Sequence, residues 1–310
     1  MLNPGSPAFA ELSLIDPERA DAPDYRIVPG VATRLSPNVR RITAANPGYM
    51  TGPGTNSYIV GGGGGGGSGG AVAVIDPGPL RDDHIANLLG PNLLDAGERI
   101  GWIFVTHTHP DHSPAAVRLK QATGARLLGL PAPIGEHQDQ TFHPDILPRD
   151  GERFDLAGCT LRAIYTPGHA SNHVCYLLEE ERILFTGDHV MQGSTVVINP
   201  PDGDMTAYID SLRMLLGTGI AHFAPGHGFI IGEPDEMIEL LVRHRFLRER
   251  KTLGVLTRLG SASLEALTPS VYDDVPAFKH PWAARSLLAH LVKLKRDGMI
   301  YEIDGVWSPA

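Results

Sequence analysis

Residues 106–112 read Thr-His-Thr-His-Pro-Asp-His, which puts three imidazoles and one carboxylate into six consecutive positions, 107–112. The run follows an apolar stretch, Trp102–Val105, and precedes a helical pattern that begins at Pro114. It therefore occupies a strand-to-helix turn. Imidazole nitrogens and carboxylate oxygens together suit Zn²⁺ and similar first-row ions. His107 and His109 lie two apart and can point the same way as the strand runs out. Asp111 and His112 lie around the turn and can face a second ion. The bland alternative is a polar loop that happens to be rich in histidine, and three imidazoles at this spacing weigh against it.

Three later positions repeat the same local design. His169 sits in Thr166-Pro167-Gly168-His169, Asp188 in Phe185-Thr186-Gly187-Asp188, and His227 in Ala224-Pro225-Gly226-His227-Gly228. Each follows a strand-like run and a glycine, where the backbone can turn tightly and let a side chain reach inward. Alone, each would more often be a surface loop residue. Beside the first cluster, they read as the missing metal ligands.

The spacing of apolar residues predicts strands at Tyr25–Arg34, Val39–Ala44, Asn56–Val60, Ala71–Ile75, Trp102–Thr106, Ala125–Leu130, Thr160–Thr166, His173–Leu178, Ile183–Thr186, Thr195–Ile198 and Ala221–Ala224. Helical patterns fall at Arg81–Leu89, Pro114–Gln121 and Thr206–Leu216. Early hairpins followed by alternating strands and helices predict a layered α/β fold, with sheets inside and helices outside. With 36 Gly and 26 Pro in 310 residues, many short strands and long loops suit this chain better than a helix bundle. Gly61–Gly70 lacks a following Gly-Lys-Ser/Thr and leads into a strand, so it reads as a flexible hairpin connection rather than a phosphate loop.

From Asp235 the texture changes. One long helical pattern runs over Asp235–Leu259, followed by Ser263–Leu267, Ala283–Arg296 and a terminal hairpin, Met299–Trp307, turning at Asp304–Gly305. That order is that of a winged helix, and it divides the chain into a domain at 1–250 and a smaller one at 251–310. Residues 241–310 carry 11 Lys+Arg against 7 Asp+Glu, while the chain as a whole is at −9. The acidic total argues against an extended nucleic-acid coat or an anionic-membrane binder.

His-X-His-X-Asp-His, then a lone His, a lone Asp and a final His, resembles the signature of the metallo-β-lactamase fold superfamily. Asn46-Pro47-Gly48, Gly54-Thr55-Asn56-Ser57-Tyr58, Ile75-Asp76-Pro77-Gly78, the stretch His169–His173, Pro201–Leu215 and Pro225-Gly226-His227-Gly228 are similar to the beta-lactamase-like protein 2 family. The resemblance covers nearly the whole chain, apart from the poly-Gly tract and the first ~25 residues. It implies an αβ/βα four-layer sandwich with two metals at one end, and a C-terminal winged-helix-like domain. It also implies that His107, His109 and His169 hold one ion, that Asp111, His112 and His227 hold the other, and that Asp188 bridges them. The ions would be Zn²⁺ in the first instance, with Mn²⁺ or Fe as alternatives, and a hydroxide between them would be the nucleophile. Asp188 stands where true β-lactamases commonly have Cys, which weighs against antibiotic hydrolysis.

Around that set, Asp111 is expected to orient the nucleophile and accept its proton, and His173 to donate a proton or hold a substrate oxygen. Asp76 is expected to fix the tautomer of a ligand imidazole, and Asn56 and Tyr58 to line the cleft; His189 is a weaker candidate. His84, His137, His143, His222, His244, His280 and His290 show no ligand pattern. Cys159 and Cys175 read as structural residues of a reducing compartment, and with no secretory leader or long apolar run the expected location is cytoplasmic. Three functions remain in competition. The nearest family implies a dinuclear zinc hydrolase that cleaves single-stranded RNA, steered by Arg243–Lys251 and Lys293–Arg296. The second is a glyoxalase II-like hydrolase of small esters or thioesters, and the third a non-catalytic regulator with a winged helix. Seven intact ligands make the third the weakest.

Overall fold

The computed structural model describes residues 27–62, 70–135, 137–156 and 158–310. The first residues of the predicted strand at Tyr25–Arg34, and most of the poly-Gly tract, lie outside that set. A six-stranded sheet has the order β1 (Thr33–Arg34), β2 (Val39–Thr43), β3 (Asn56–Val60), β4 (Ala71–Ile75), β5 (Arg99–Phe104), β6 (Arg126–Leu128). A five-stranded sheet has the order β11 (His222–Pro225), β10 (Ile183–Gly187), β9 (Val174–Leu178), β8 (Cys159–Tyr165), β7 (Arg153–Leu156). β3 and β4 pair antiparallel, with Tyr58 opposite Ile75 and Val60 opposite Ala73, so the glycine tract does join a hairpin.

Period-two alternation sorts the side chains into layers. Tyr58, Ala73, Ile75 and Phe104 from the first sheet meet Leu161, Val174, Tyr176 and Phe185 from the second, forming the core between the sheets. The Phe104 ring packs edge-on against Tyr176 and Phe154, at centroid distances of 5.0 and 5.5 Å. Residues of opposite parity point outward. Ile59, Val72, Val74 and Ile103 pack under α1 (Asp82–Leu88) and α2 (Ala115–Thr123) through Leu88, Ala116 and Leu119. Cys175, Leu177 and Leu184 pack under α3 (Met205–Met214) and α4 (Pro234–Leu259) through Ile209, Leu212, Met237 and Leu241. Helix, sheet, sheet, helix is the four-layer sandwich the sequence predicted. Burial on both faces also explains why β4 and β9 are apolar throughout.

α4 continues past the sandwich, and its Val255 and Leu256 enter a separate core with α5 (Leu264–Val271) and α6 (His280–Arg296). A three-stranded sheet of β12 (Ala262–Ser263), β14 (Val306–Pro309) and β13 (Ile300–Ile303) completes this C-terminal winged helix.

Two local expectations are corrected. Thr195–Ile198 is not a strand, because its carbonyls are taken by side chains: Val196 O accepts from Arg245 Nη2 at 2.6 Å and Val197 O from His169 Nδ1 at 2.8 Å. The basic stretch on α4 is not an open face either. Arg245 and Arg248 are buried, with Arg248 forked onto Asp274 at 2.8 Å on both nitrogens. Lys251 pairs with Asp273, Lys293 with Glu249 and Asp297, Lys295 with Glu302, and Arg296 with Asp204. Most of the cations expected to steer a polyanion are therefore engaged within the protein.

Candidate metal centre

Strand direction decides why seven residues spread over 121 positions, 107–227, meet. β4, β5 and β6 run parallel in one sheet. β10 and β11 run parallel in the other, and β8 shares their direction, because β8–β9 and β9–β10 are both antiparallel. The carboxyl ends of β5, β8, β10 and β11 thus open onto one edge of the sandwich, and His107, His169, Asp188 and His227 follow them. Backbone bonds join the two sheets there: Val174 N–H donates to Thr106 O and Asn56 N–H to Gly226 O, each at 2.8 Å.

The ligand atoms form three groups whose members lie within 4.8 Å of one another: His107, His109, His169; His107, His112, Asp188; and Asp111, His112, His227. His109 Nδ1 is 3.0 Å from both His107 Nε2 and His169 Nε2. Asp188 Oδ1 is 3.3 Å from His112 Nε2 and from His227 Nε2, and Asp188 Oδ2 is 3.7 Å from His169 Nε2. Asp111 Oδ2 is 3.2 Å from His227 Nε2 and 3.5 Å from His112 Nε2. Ligands about 2.0–2.1 Å from a tetrahedral ion are about 3.3 Å apart, so these separations fit the coordination of small divalent cations.

Hydrogen bonds behind the rings decide which atoms face inward. His169 Nδ1–H donates to Val197 O at 2.8 Å, His227 Nδ1–H to Gly54 O at 3.2 Å, and His112 Nδ1–H to Asp76 Oδ2 at 2.9 Å. Thr106 Oγ1–H donates to Asp76 Oδ2 at 2.8 Å and so accepts from His107 Nδ1–H at 3.0 Å. Carbonyls and carboxylates only accept, so these four rings carry a proton on Nδ1 and turn Nε2 towards the centre. His109 Nδ1 has at most one proton to share between the two Nε2 atoms 3.0 Å from it, whereas a cation among the three rings would take a lone pair from each. Among the described residues, His112 Nε2 and Asp188 Oδ1 are buried without a hydrogen-bond partner. Both facts fit a dinuclear metal site.

Electrostatics separate the two halves. Burial, then neighbouring imidazoles, holds His107 far below the ordinary histidine range; burial and His169 push His109 down to about 3, and burial lowers His169. These rings are neutral and ready to ligate. For His227, burial works the other way from its neighbours, but the Asp188 and Asp111 carboxylates win and raise it to about 10. Burial alone would raise Asp111 and Asp188, yet His112 and His227 pull both below the usual carboxylate range. The second half is thus a charge-balanced set of acids and imidazoles from which a metal would displace protons.

Several expectations change here. His173 is fully buried and stacked on His107 at 5.0 Å, with Nδ1 against Thr166 Oγ1 at 2.9 Å, so it supports a ligand ring rather than facing the cleft. Asn56 and Tyr58 are buried too: Asn56 Nδ2 donates to Pro225 O and Gly228 O, and Tyr58 O–H to Pro225 O, which clamps the turn carrying His227. His189 is buried against Tyr208 with neither ring nitrogen bonded. Thr106, Thr55 and the carbonyls of Gly54 and Val197 were not legible as site residues. The last two act through backbone atoms, which any residue supplies. Asp76 holds His112 and Thr106 from a left-handed backbone, φ 50°, a conformation that costs about 1–3 kcal/mol and is usually kept where geometry matters. Replacing Asp76 by Ala should weaken metal affinity about 10–100-fold while leaving the chain folded; unchanged affinity in a chelator competition would remove its role.

A cleft of about 330 Å³ opens beside the centre and is lined by His109, Asp111, His169 and Asp188. Met50, Ile134, Val197 and Pro201 give it apolar walls, and Arg285 of α6 reaches it from the C-terminal domain. A second depression, about 270 Å³, reaches His227 from the other side of Met50 and Val197. Among the described residues, no helix is long and apolar enough to cross a membrane.

Residues 50–227 match the Metallo-beta-lactamase superfamily, and residues 263–307 match the Beta-lactamase associated winged helix domain. The chain is 34% identical over 286 residues to an atrochrysone carboxyl ACP thioesterase of Aspergillus chevalieri, covering 88% of this chain and 86% of that one. It is 31% identical over 287 residues to the beta-lactamase-like protein 2 homolog of Drosophila melanogaster, covering 88% and 93%. Among solved structures, a beta-lactamase domain protein from Burkholderia ambifaria superposes with a TM-score of 0.76 at 19% identity, over 93% of this chain and 96% of that one.

Proposed function

The chain belongs to the metallo-beta-lactamase superfamily and is a metal-dependent hydrolase, and from that premise we propose that it hydrolyses acyl thioesters at a two-zinc centre. The observation that carries the substrate class is the alignment, over 88% of the chain, with a relative named a thioesterase. The structure supports the same ranking over RNA cleavage. An apolar-walled cleft suits an acyl chain, and the basic side chains that RNA would need are mostly buried or paired. The imidazoles of the donor set suit Zn²⁺, and a set of nitrogen and oxygen without thiolate discriminates poorly against Mn²⁺ or Fe.

Bound divalent cations would supply Lewis-acid polarisation and a more acidic water, with His107, His109 and His169 around one ion, Asp111, His112 and His227 around the other, and Asp188 shared. The protein's own residues do the rest. Val197 O, Gly54 O, Asp76 and Thr106 hold the four rings in one tautomer and orientation, so no ligand has to reorganise during turnover. Asp111 is the most open of the carboxylates, with its side chain 25% exposed, and Thr55 Oγ1 lies 3.4 Å from its Oδ2. Its carboxylate therefore stands at the cleft wall where a proton can leave an attacking water and pass to the departing thiolate. Water adds to the thioester carbonyl carbon, the C–S bond breaks, one water proton goes to the thiolate, and a thiol, a carboxylate and the second proton leave.

The test is a side-by-side assay of metal-loaded protein on an acyl-thioester panel and an unstructured RNA, with Asp188→Ala as the control. Thioester turnover by the wild type alone, with equal RNA degradation by both proteins, is the expected result. RNA cleavage confined to the wild type, without thioester turnover, would reverse the assignment.

A further inference from the structure

The cleft beside the metal centre has one feature that thioester hydrolysis does not use. Arg285 projects into it from α6, on the C-terminal domain, while every ligand candidate comes from the sandwich. The guanidinium is exposed and, among the described residues, has no hydrogen-bond or ion-pair partner. Its surroundings make that lack of a partner informative. Asp202, the other acid on the cleft wall, is already engaged by Gln138 Nε2 at 3.0 Å and by Ser171 N–H at 3.3 Å. Asp111 and Asp188 are committed to the imidazoles of the centre. The neighbouring cations Arg248, Lys293 and Arg296 have their own acids.

A planar fork of donors beside Met50, Ile134 and Val197 suits an elongated apolar molecule that ends in a flat or tetrahedral oxyanion. A thioester group is itself uncharged and offers Arg285 no charge to match. The anion must therefore be a second group on the same substrate.

Resting on the thioesterase reading above, we propose that Arg285 is a specificity-determining residue that binds an anionic oxygen group of the substrate, a carboxylate or a phosphate, away from the scissile carbonyl. The carboxylate would sit on the acyl chain, and the phosphate on the thiol arm. Either way the winged helix is part of the substrate site, and the substrate spans both domains.

The experiment compares wild type, Arg285→Ala and Arg285→Lys on three compounds. These are a neutral acyl N-acetylcysteamine thioester, the same compound with a terminal carboxylate on the acyl chain, and the neutral acyl thioester of coenzyme A. Arg285 is exposed, so its replacement leaves the fold in place. A hydrogen bond to a charged group is worth about tenfold or more in binding, so Arg285→Ala should raise KM about tenfold for one or both charged compounds. The constant kcat, the unchanged neutral compound and partial recovery in Arg285→Lys complete the expected pattern. Loss confined to the carboxylated acyl chain places the anion there, and loss confined to the coenzyme A thioester places it on the thiol arm. Equal loss on all three compounds, or none on any, overturns the proposal while leaving the thioesterase reading intact. Failure of the wild type to turn over any of the three defeats that reading, and this inference falls with it.

Discussion

Asp188→Ala should lower kcat/KM by on the order of 10³-fold or more while the protein keeps its secondary structure and cooperative unfolding. The carboxylate faces both halves of the centre: Oδ1 lies 3.3 Å from His112 Nε2 and from His227 Nε2, and Oδ2 lies 3.7 Å from His169 Nε2. No other side chain in the set touches the three-histidine cluster and the Asp111 cluster at once through two different oxygens. Its loss removes the shared ligand and leaves Asp111 as the acid facing the Nε2 atoms of both His112 and His227. The loss should exceed the ~10–100-fold expected for a residue that only orients a ligand. Circular dichroism and a steady-state thioester assay on the same preparation check it. Near-normal turnover by a folded Asp188→Ala protein would show that the carboxylate does not link the two halves.

Gly226→Ala is expected to be almost as damaging, although it removes no functional group. A Cβ at that position would lie 2.6 Å from His112 Cε1 and 2.9 Å from Asp188 Oδ1. Neither neighbour can move aside. His112 is fixed through Nδ1 by Asp76, and the backbone of Gly226 is held on both sides, donating to Gly187 O at 2.9 Å and accepting from Asn56 N–H at 2.8 Å. Displacing a catalytic constellation by about 1 Å can cost ~10²-fold, so a loss of about 10²-fold or more in kcat/KM, with weakened metal loading, is predicted. Metal content after dialysis and the same thioester assay measure it. A Gly226→Ala protein with full metal content and activity would mean that the turn tolerates a side chain and that the close approach is unimportant.

How far the sequence carries depends on which atoms do the work. His107, His109, Asp111, His112, His169, Asp188 and His227 act through side chains of rare chemistry, at the ends of apolar runs. Pattern and residue type were therefore enough to select them, and the structure brings all seven to one edge. The partners that orient the rings are harder to see. Gly54 and Val197 contribute only carbonyl oxygens, and Thr106 looks like any strand threonine until Asp76 folds beside it.

Secondary structure failed where tertiary demands overrode propensity. Thr195–Ile198 has the composition of a strand, but its carbonyls serve Arg245 and His169. Arg153–Leu156, by contrast, pairs with β8 although Phe154 is its only buried residue. The basic run on α4 misled for a related reason. A helix shared by two cores buries faces that would be solvated on a single domain, so Arg245 and Arg248 read as surface charge but serve as internal donors.

Titration of chelated wild-type protein with Zn²⁺, with bound metal counted per chain, tests most directly whether one centre holds two metals. Two equivalents are predicted, taken up with release of protons from His112 and His227, the two rings held charged by Asp111 and Asp188. Saturation of the folded protein at one equivalent, or failure to bind any, would contradict the dinuclear centre and the hydrolysis assigned to it.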